Sequence, residues 1–163
     1  MSPEKVIDLN EPGKAEEGFA CADTANVIKK FFSTRDPKPP CIPVEVPATL
    51  PSWLTEEDIQ YYAAKYNKKG FTGGLNYYGA LDLRWELTGA WIGLQIQVPV
   101  KFIVGDLDIT YNIPGIKDYI HKGDFKRDVP NLEVVVIEGV AHFLNQEKPE
   151  EVNAHIYEFI QKF

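Results

Sequence analysis

Two short segments, residues 98–104 (Val-Pro-Val-Lys-Phe-Ile-Val) and 132–137 (Leu-Glu-Val-Val-Val-Ile), are nearly all apolar and show no alternation of polar and apolar positions. A strand with one wet face alternates, whereas a strand without alternation is covered on both faces, as in a parallel sheet flanked by helices. Each segment runs into a glycine, Gly105 or Gly139, and an ionisable side chain follows within three residues, Asp108 or His142. Residues 113–120 between them read as a helix. Pro149-Glu150-Glu151 opens another, whose apolar stripe is Val152, Ile156, Phe159, Ile160 and Phe163. The second half of the chain thus reads strand, helix, strand, helix, and the spacing predicts two parallel neighbours joined by a right-handed crossover.

The first half has a different texture. Residues 23–32 place Ala25, Val27, Ile28, Phe31 and Phe32 at helical spacing. A proline-rich stretch, 36–51, contains Pro37, Pro39, Pro40, Pro43, Pro47 and Pro51, a density that blocks regular hydrogen bonding and predicts an extended connection. In Leu54-Thr55-Glu56-Glu57-Asp58-Ile59, Thr55 is placed to cap the backbone of Asp58, with Leu54 and Ile59 as a hydrophobic staple. The helix that starts there passes through Tyr62, Ala63 and Tyr66 and stops at Gly70, a residue suited to the left-handed position after a helix. Residues 71–87, rich in aromatics and interrupted by Gly73 and Gly74, read as a second helix.

At 163 residues and 44% apolar content, the length predicts a single core. The 24 acidic against 17 basic side chains leave a net charge of −7, and the basic ones come as scattered pairs, which disfavours nucleic-acid binding. No apolar run approaches the roughly 18 residues that cross a bilayer, and no signal sequence opens the chain, so a cytoplasmic, non-membrane protein is expected. Cys21 and Cys41 then read as reduced, buried thiols. His121, His142 and His155 never fall at an i, i+4 spacing, and no metal site is expected.

In open α/β sheets, functional groups collect on loops leaving the carboxyl ends of the strands, where Asp108 and His142 both lie. A carboxylate beside an imidazole fixes its tautomer and stabilises the imidazolium formed when the ring takes a proton from water or a hydroxyl. The order acid, then histidine near the C-terminus, fits the α/β-hydrolase order. On spacing alone a turn-forming Asp and a packing His remain open as alternatives. His155, at the edge of an apolar stripe, reads as packing, and His121, among Lys122, Lys126 and Arg127, as a solvated loop residue. Tyr61, Tyr62, Tyr66, Tyr77 and Tyr78 could each donate a hydrogen bond to a developing oxyanion, and composition does not choose among them.

Four motifs in order carry a specific resemblance: Leu50-Pro51-Ser52-Trp53-Leu54-Thr55-Glu56-Glu57-Asp58, Gly70-Phe71-Thr72-Gly73-Gly74-Leu75-Asn76-Tyr77-Tyr78, Val104-Gly105-Asp106-Leu107-Asp108 and Glu138-Gly139-Val140-Ala141-His142-Phe143. Together they closely resemble the C-terminal half of plant soluble epoxide hydrolases, from about Glu11 to Phe163. The resemblance implies a partial α/β-hydrolase fold: part of a helical cap over residues 1–92, then the last two parallel core strands and their helices over 93–163. In that family an aspartate opens the epoxide to an alkyl-enzyme ester, cap tyrosines hydrogen-bond the epoxide oxygen, and a His and Asp pair activates the water that cleaves the ester. Asp108 matches the acid, His142 the base and Tyr78 the cap donor. The substrates implied are an epoxide and water, with no cofactor.

The family's oxyanion loop, His-Gly-x-Pro, and its Gly-x-Asp-x-Gly nucleophile elbow do not occur among the 163 residues, and residues 1–10 hold no Tyr to match a second cap donor. Further departures are Gly79 where the family usually has Arg, a shortened proline-rich loop, and one residue fewer before Val134. The expectation is a chain that begins partway through the cap, keeps the acid and base, and is inactive alone. The alternative is a non-catalytic truncated product that self-associates or docks through exposed sheet edges.

Overall fold

The computed structural model describes residues 5–6, 13–35, 41–42 and 49–163. The chain divides into two compact units, Met1–Thr34 with Pro39–Ala90, and Arg35–Lys38 with Trp91–Phe163. Each has its own apolar clusters, so the single core expected from length is corrected to two. Length bounds how much surface a chain can bury, but contact pattern decides how many cores it is divided among.

In the first unit, β1 (Lys5–Val6) pairs antiparallel with β2 (Cys41–Ile42), and α1 (Lys14–Ala20), α2 (Thr24–Ser33), α3 (Glu56–Lys69), α4 (Thr72–Gly79) and α5 (Leu81–Thr88) complete it. Strand β2 interrupts the proline-rich stretch expected to be an extended connection; residues 36–40 and 43–48 of that stretch lie outside the described residues, as do the Cys41 side chain and residues 1–4 and 7–12. Helix α2 opens on Asp23, whose carboxylate accepts from Asn26 N at 2.9 Å. At the start of α3, Thr55 Oγ1 accepts from Asp58 N at 3.1 Å and the Asp58 carboxylate accepts from Thr55 N at 2.9 Å, a reciprocal capping box. Leu54 and Ile59 meet in one buried cluster with Ile28, as the staple predicts. Gly70, at φ 71°, ends the helix in the left-handed region that a side chain would strain.

Residues 71–87 form two helices rather than one, because Ala80 (φ −96°, ψ 7°) leaves helical geometry between α4 and α5. Neither helix buries a residue among those described, and Trp85 and Leu87 are 71% and 70% exposed. Cys21 is a free, exposed thiol, which corrects its expected burial; it sits at the C-terminal cap of α1, on the surface, while Ala15 and Phe19 of that helix face the core.

In the second unit, β3 (Val100–Gly105) and β4 (Leu132–Ile137) pair in parallel register, Val100 opposite Leu132 and Gly105 opposite Ile137, as expected. The first strand starts after Pro99, which has no N–H to give a ladder. Between the strands lie α6 (Ile116–His121) and α7 (Asp124–Asp128). The expected helix begins three residues late, after Pro114 and Gly115, and α7 was not foreseen. Phe102, Val104 and Val134 pack with Tyr111, Ile116, Ile120 and Phe125 on one side of the sheet. After β4 come α8 (Leu144–Glu147) and α9 (Pro149–Ile160), and Ile103, Val135 and Ile137 pack with Val140, Leu144 and Val152 on the other.

Coverage of the two faces is incomplete. Most strand residues are only half-buried, and of the stripe expected on α9 Val152 is buried while Ile156, Ile160 and Phe163 are 44%, 62% and 78% exposed. A parallel sheet of two strands presents too little apolar surface to bury the helices on both sides.

Gly105 makes a contact no other residue could. A Cβ built there would lie 2.1 Å from the Val140 carbonyl oxygen and 2.7 Å from that of Ala141, both backbone atoms. Gly105→Ala is therefore expected to destabilise the second unit at or beyond the upper end of the roughly 1–3 kcal/mol typical of overpacking, whereas Thr55→Ala should cost about 1 kcal/mol through the lost cap. Urea unfolding of the two variants checks both values, and equal costs would show that the backbone at position 105 can yield.

Candidate active site

The turns that leave β3 and β4 are laced together by backbone groups. Asp106 N donates to Ile137 O at 3.1 Å, Leu107 N to Val140 O at 3.0 Å, and Val140 N to Asp106 Oδ1 at 3.2 Å. Because the strands are parallel and in register, both turns emerge at the same end of the sheet, and Asp108 and His142 meet there. His142 Nδ1 lies 2.7 Å from Asp108 Oδ2.

Asp108 is the one charged residue among those described that is buried as a whole, backbone and side chain together, at 5% exposed. Its other oxygen, Oδ1, accepts from Thr110 N at 2.6 Å and Tyr111 N at 3.0 Å, while Asn112 Nδ2 donates to the Asp108 carbonyl at 2.7 Å and to that of Asp106 at 2.8 Å. Burial works against ionisation of this carboxyl. The hydrogen bonds from His142 and the two amides, with the charge of the imidazolium, outweigh it and hold the group below the usual carboxylate range. An ionised Asp108 can only accept, so Nδ1 of His142 carries the proton and Nε2 is left as the basic nitrogen. The bond to Asp108 raises the His142 pKa above its ordinary value; partial burial opposes the rise and the carboxylate's charge adds to it. The His142 side chain is 57% exposed, so water reaches the ring.

The turn bearing His142 has a second anchor. Glu147 Oε1 accepts from Ala141 N at 3.0 Å, Glu147 Oε2 accepts from Arg35 Nη1 at 2.8 Å, and Arg35 Nη2 donates to Gly139 O. Neither Arg35, Glu147 nor Asn112 stands out in the sequence. A polar residue in the run Asp108-Ile109-Thr110-Tyr111-Asn112, dense in side chains that bond local backbone, is the one signal that could have pointed to Asn112.

Tyr78 lies in the first unit, on α4, 41% exposed and edge-on to Tyr77 with ring centroids 5.4 Å apart. Tyr77 beside it is 57% exposed, with the Arg84 guanidinium 4.4 Å from its ring centroid. His155 is partly buried and 3.9 Å from Glu158. His121, expected as a solvated loop residue, ends α6 with Nε2 2.7 Å from the hydroxyl of buried Tyr111. Among the described residues no group of three His, Cys, Asp or Glu side chains is placed to share a metal ion.

The pair makes stability depend on pH from both sides. Asp108, with a lowered pKa, contributes above its unfolded value of about 4, and the contribution is lost as pH falls through the folded value. His142, with a raised pKa, contributes fully below its unfolded value of about 6.5, and loses this as pH rises through the folded one. The combined contribution should be greatest between about pH 4 and 6.5. Asp108→Asn should flatten both limbs of a plot of urea midpoint against pH and return the His142 NMR titration toward the ordinary value; an unchanged titration would show that the bond does not persist in solution.

No protein-family model matches the chain. Individual proteins do. It is 60% identical over 164 residues to epoxide hydrolase 1 of Siraitia grosvenorii, an alignment covering 97% of this chain and 52% of that protein. Epoxide hydrolase A of Mycobacterium tuberculosis is 36% identical over 116 residues, 70% of this chain and 34% of that protein. In structure, potato (Solanum tuberosum) epoxide hydrolase I matches with a TM-score of 0.88 at 50% identity, over 98% of this chain and 53% of that one. The chain spans about half the length of the curated plant relatives it matches. Identity at this level over nearly the whole chain, together with a parallel strand pair that brings an acid and a histidine to one end, leads to one conclusion: the chain matches about half of a plant epoxide hydrolase of the α/β-hydrolase fold.

Proposed function

We propose that this chain supplies the acid and base half of an epoxide-hydrolysing site, with Asp108 as the acid, His142 as the water-activating base and Tyr78 as a donor to the epoxide oxygen. The observation that carries the reading is the 2.7 Å contact between His142 Nδ1 and the ionised, amide-bonded Asp108. Both are held at the ends of adjacent parallel strands, in a chain 60% identical to an epoxide hydrolase.

In this mechanism an aspartate from outside the 163 residues attacks an epoxide carbon, the C–O bond breaks, and the Tyr78 hydroxyl protonates the departing oxygen. His142 Nε2 then takes a proton from water as its oxygen attacks the carbonyl carbon of the resulting ester. The tetrahedral species collapses, its hydroxyl proton passing to the departing alkoxide, which releases the diol and regenerates the carboxylate, while the proton on His142 returns the Tyr78 phenolate to phenol. Asp108 stabilises the imidazolium throughout, and positioned base catalysis of this kind contributes about 10²- to 10⁴-fold. No metal or organic cofactor takes part. The chain alone has no route into the cycle, since His142 acts on an ester that only the aspartate can form. The helical first unit is the cap in this reading, and the second is the C-terminal part of the core.

A second reading, a non-catalytic chain that associates through apolar surface, is favoured by Trp85, Leu87, Trp91, Leu94 and Phe163, each at least 65% exposed. Size-exclusion chromatography with an epoxide-to-diol assay on the same fractions separates the two.

The decisive experiment joins the chain to the N-terminal half of a plant epoxide hydrolase. The fusion should turn over epoxides and the isolated chain should not. In the fusion, His142→Gln should allow a stoichiometric burst of ester followed by turnover reduced about 10²-fold or more. Turnover unaffected by that substitution would show that His142 is not the base, and epoxide hydrolysis by the isolated chain, abolished by Asp108→Ala, would show direct attack by water.

A further inference from the structure

The His142 ring is more than half exposed, so packing alone does not hold it in place. Its direction is set at two points: the Nδ1 bond to Asp108, and the backbone from which the side chain springs. That backbone is the turn through Gly139, Val140 and Ala141, and Glu147 with Arg35 grips it at both ends. The Glu147 carboxylate, its side chain 4% exposed, accepts from Ala141 N at 3.0 Å, directly before His142. Arg35 bonds the other carboxylate oxygen at 2.8 Å and the Gly139 carbonyl as well. Stability of the local helix does not account for this placement. Helix α8 is a single four-residue turn, too short for its dipole to repay the hydration that a carboxylate loses when sequestered this deeply. What the carboxylate does there is satisfy the amide of Ala141, a residue 4% exposed, and anchor the cation that bonds Gly139 O.

We propose that Glu147, with Arg35 as its counter-ion, is a positioning residue for His142, holding the turn so that Nδ1 meets Asp108 and Nε2 faces the reacting water. This rests on His142 being the water-activating base. Neither side chain touches the imidazole; they act through the backbone.

Two measurements test it. In the 163-residue chain, the NMR titration of the His142 ring should move toward that of Asp108→Asn in Glu147→Ala and stay near the wild-type value in Glu147→Gln, whose amide oxygen still accepts from Ala141. In the fusion with an N-terminal half, Glu147→Ala should slow ester hydrolysis about tenfold, within the roughly 100-fold that an ångström of misplacement can cost, with KM and ester formation unchanged and Glu147→Gln restoring most of the loss. Should Glu147→Ala not fold, Arg35→Ala, which truncates a half-exposed side chain, is read for the same titration shift. A folded variant with a lowered melting temperature but an unchanged His142 titration would reduce Glu147 and Arg35 to a structural ion pair and overturn the proposal. Inactivity of the wild-type fusion would count against the hydrolase reading instead, and leave the titration to decide the positioning.

Discussion

The close approach of β3 to the turn after β4 is the contact on which the second unit depends. At Gly105 the backbone lies so near the carbonyls of Val140 and Ala141 that there is room for a hydrogen and for no carbon. That proximity lets Leu107 N reach Val140 O and Val140 N reach the Asp106 carboxylate, so two turns far apart in the chain become one hydrogen-bonded surface. Asp108 and His142 are carried on that surface, and their contact follows from it. A larger residue at position 105 would have to move one turn away from the other, and Asp108 away from His142 with it.

The chemistry of the pair follows from unequal burial. Asp108 is almost fully enclosed, a setting that would neutralise a carboxyl left without partners. Two backbone amides and the imidazole keep it charged, and the charge is turned toward the side chain that benefits from it. His142 remains open to water, which the proposed role as a base taking a proton from solvent requires. In the proposed mechanism the buried partner supplies orientation and field, and the exposed one supplies reactivity. Glu147 and Arg35 repeat this division around the same turn, a sequestered anion with a half-exposed cation, and brace the backbone rather than the ring.

The apolar surface left open is the other consequence of the architecture. Two strands of six residues each cannot bury the faces of the helices beside them, and the exposed residues of α9 mark where the supply of sheet runs out. In the first unit α2 and α3 close on each other through Ile28, Leu54 and Ile59 and are tied by Lys29 to Glu56 at 2.7 Å, while α4 and α5 contribute no buried residue among those described. Ile156, Ile160 and Phe163, which sequence patterning places on one apolar stripe, stay exposed in a chain spanning about half the length of its plant relatives.

Much of this was legible in the sequence wherever the cause is local. The Thr55 and Asp58 box, the end of α3 at Gly70 and the opening of α9 at Pro149 depend on residues within a few positions of one another, so spacing alone specifies them. The parallel pairing of β3 and β4 was legible because unalternated apolar segments have few ways to be satisfied, and the strand-end position of Asp108 and His142 followed from it. What only the tertiary structure decided has partners distant in sequence or depends on coverage by other elements: the bond between Asp108 and His142, 34 residues apart, the bond between Arg35 and Glu147, 112 residues apart, and the exposure of Cys21. Periodicity records which face of an element is apolar. It does not record how much of that face another element covers, or which distant polar groups the packing brings within hydrogen-bond reach.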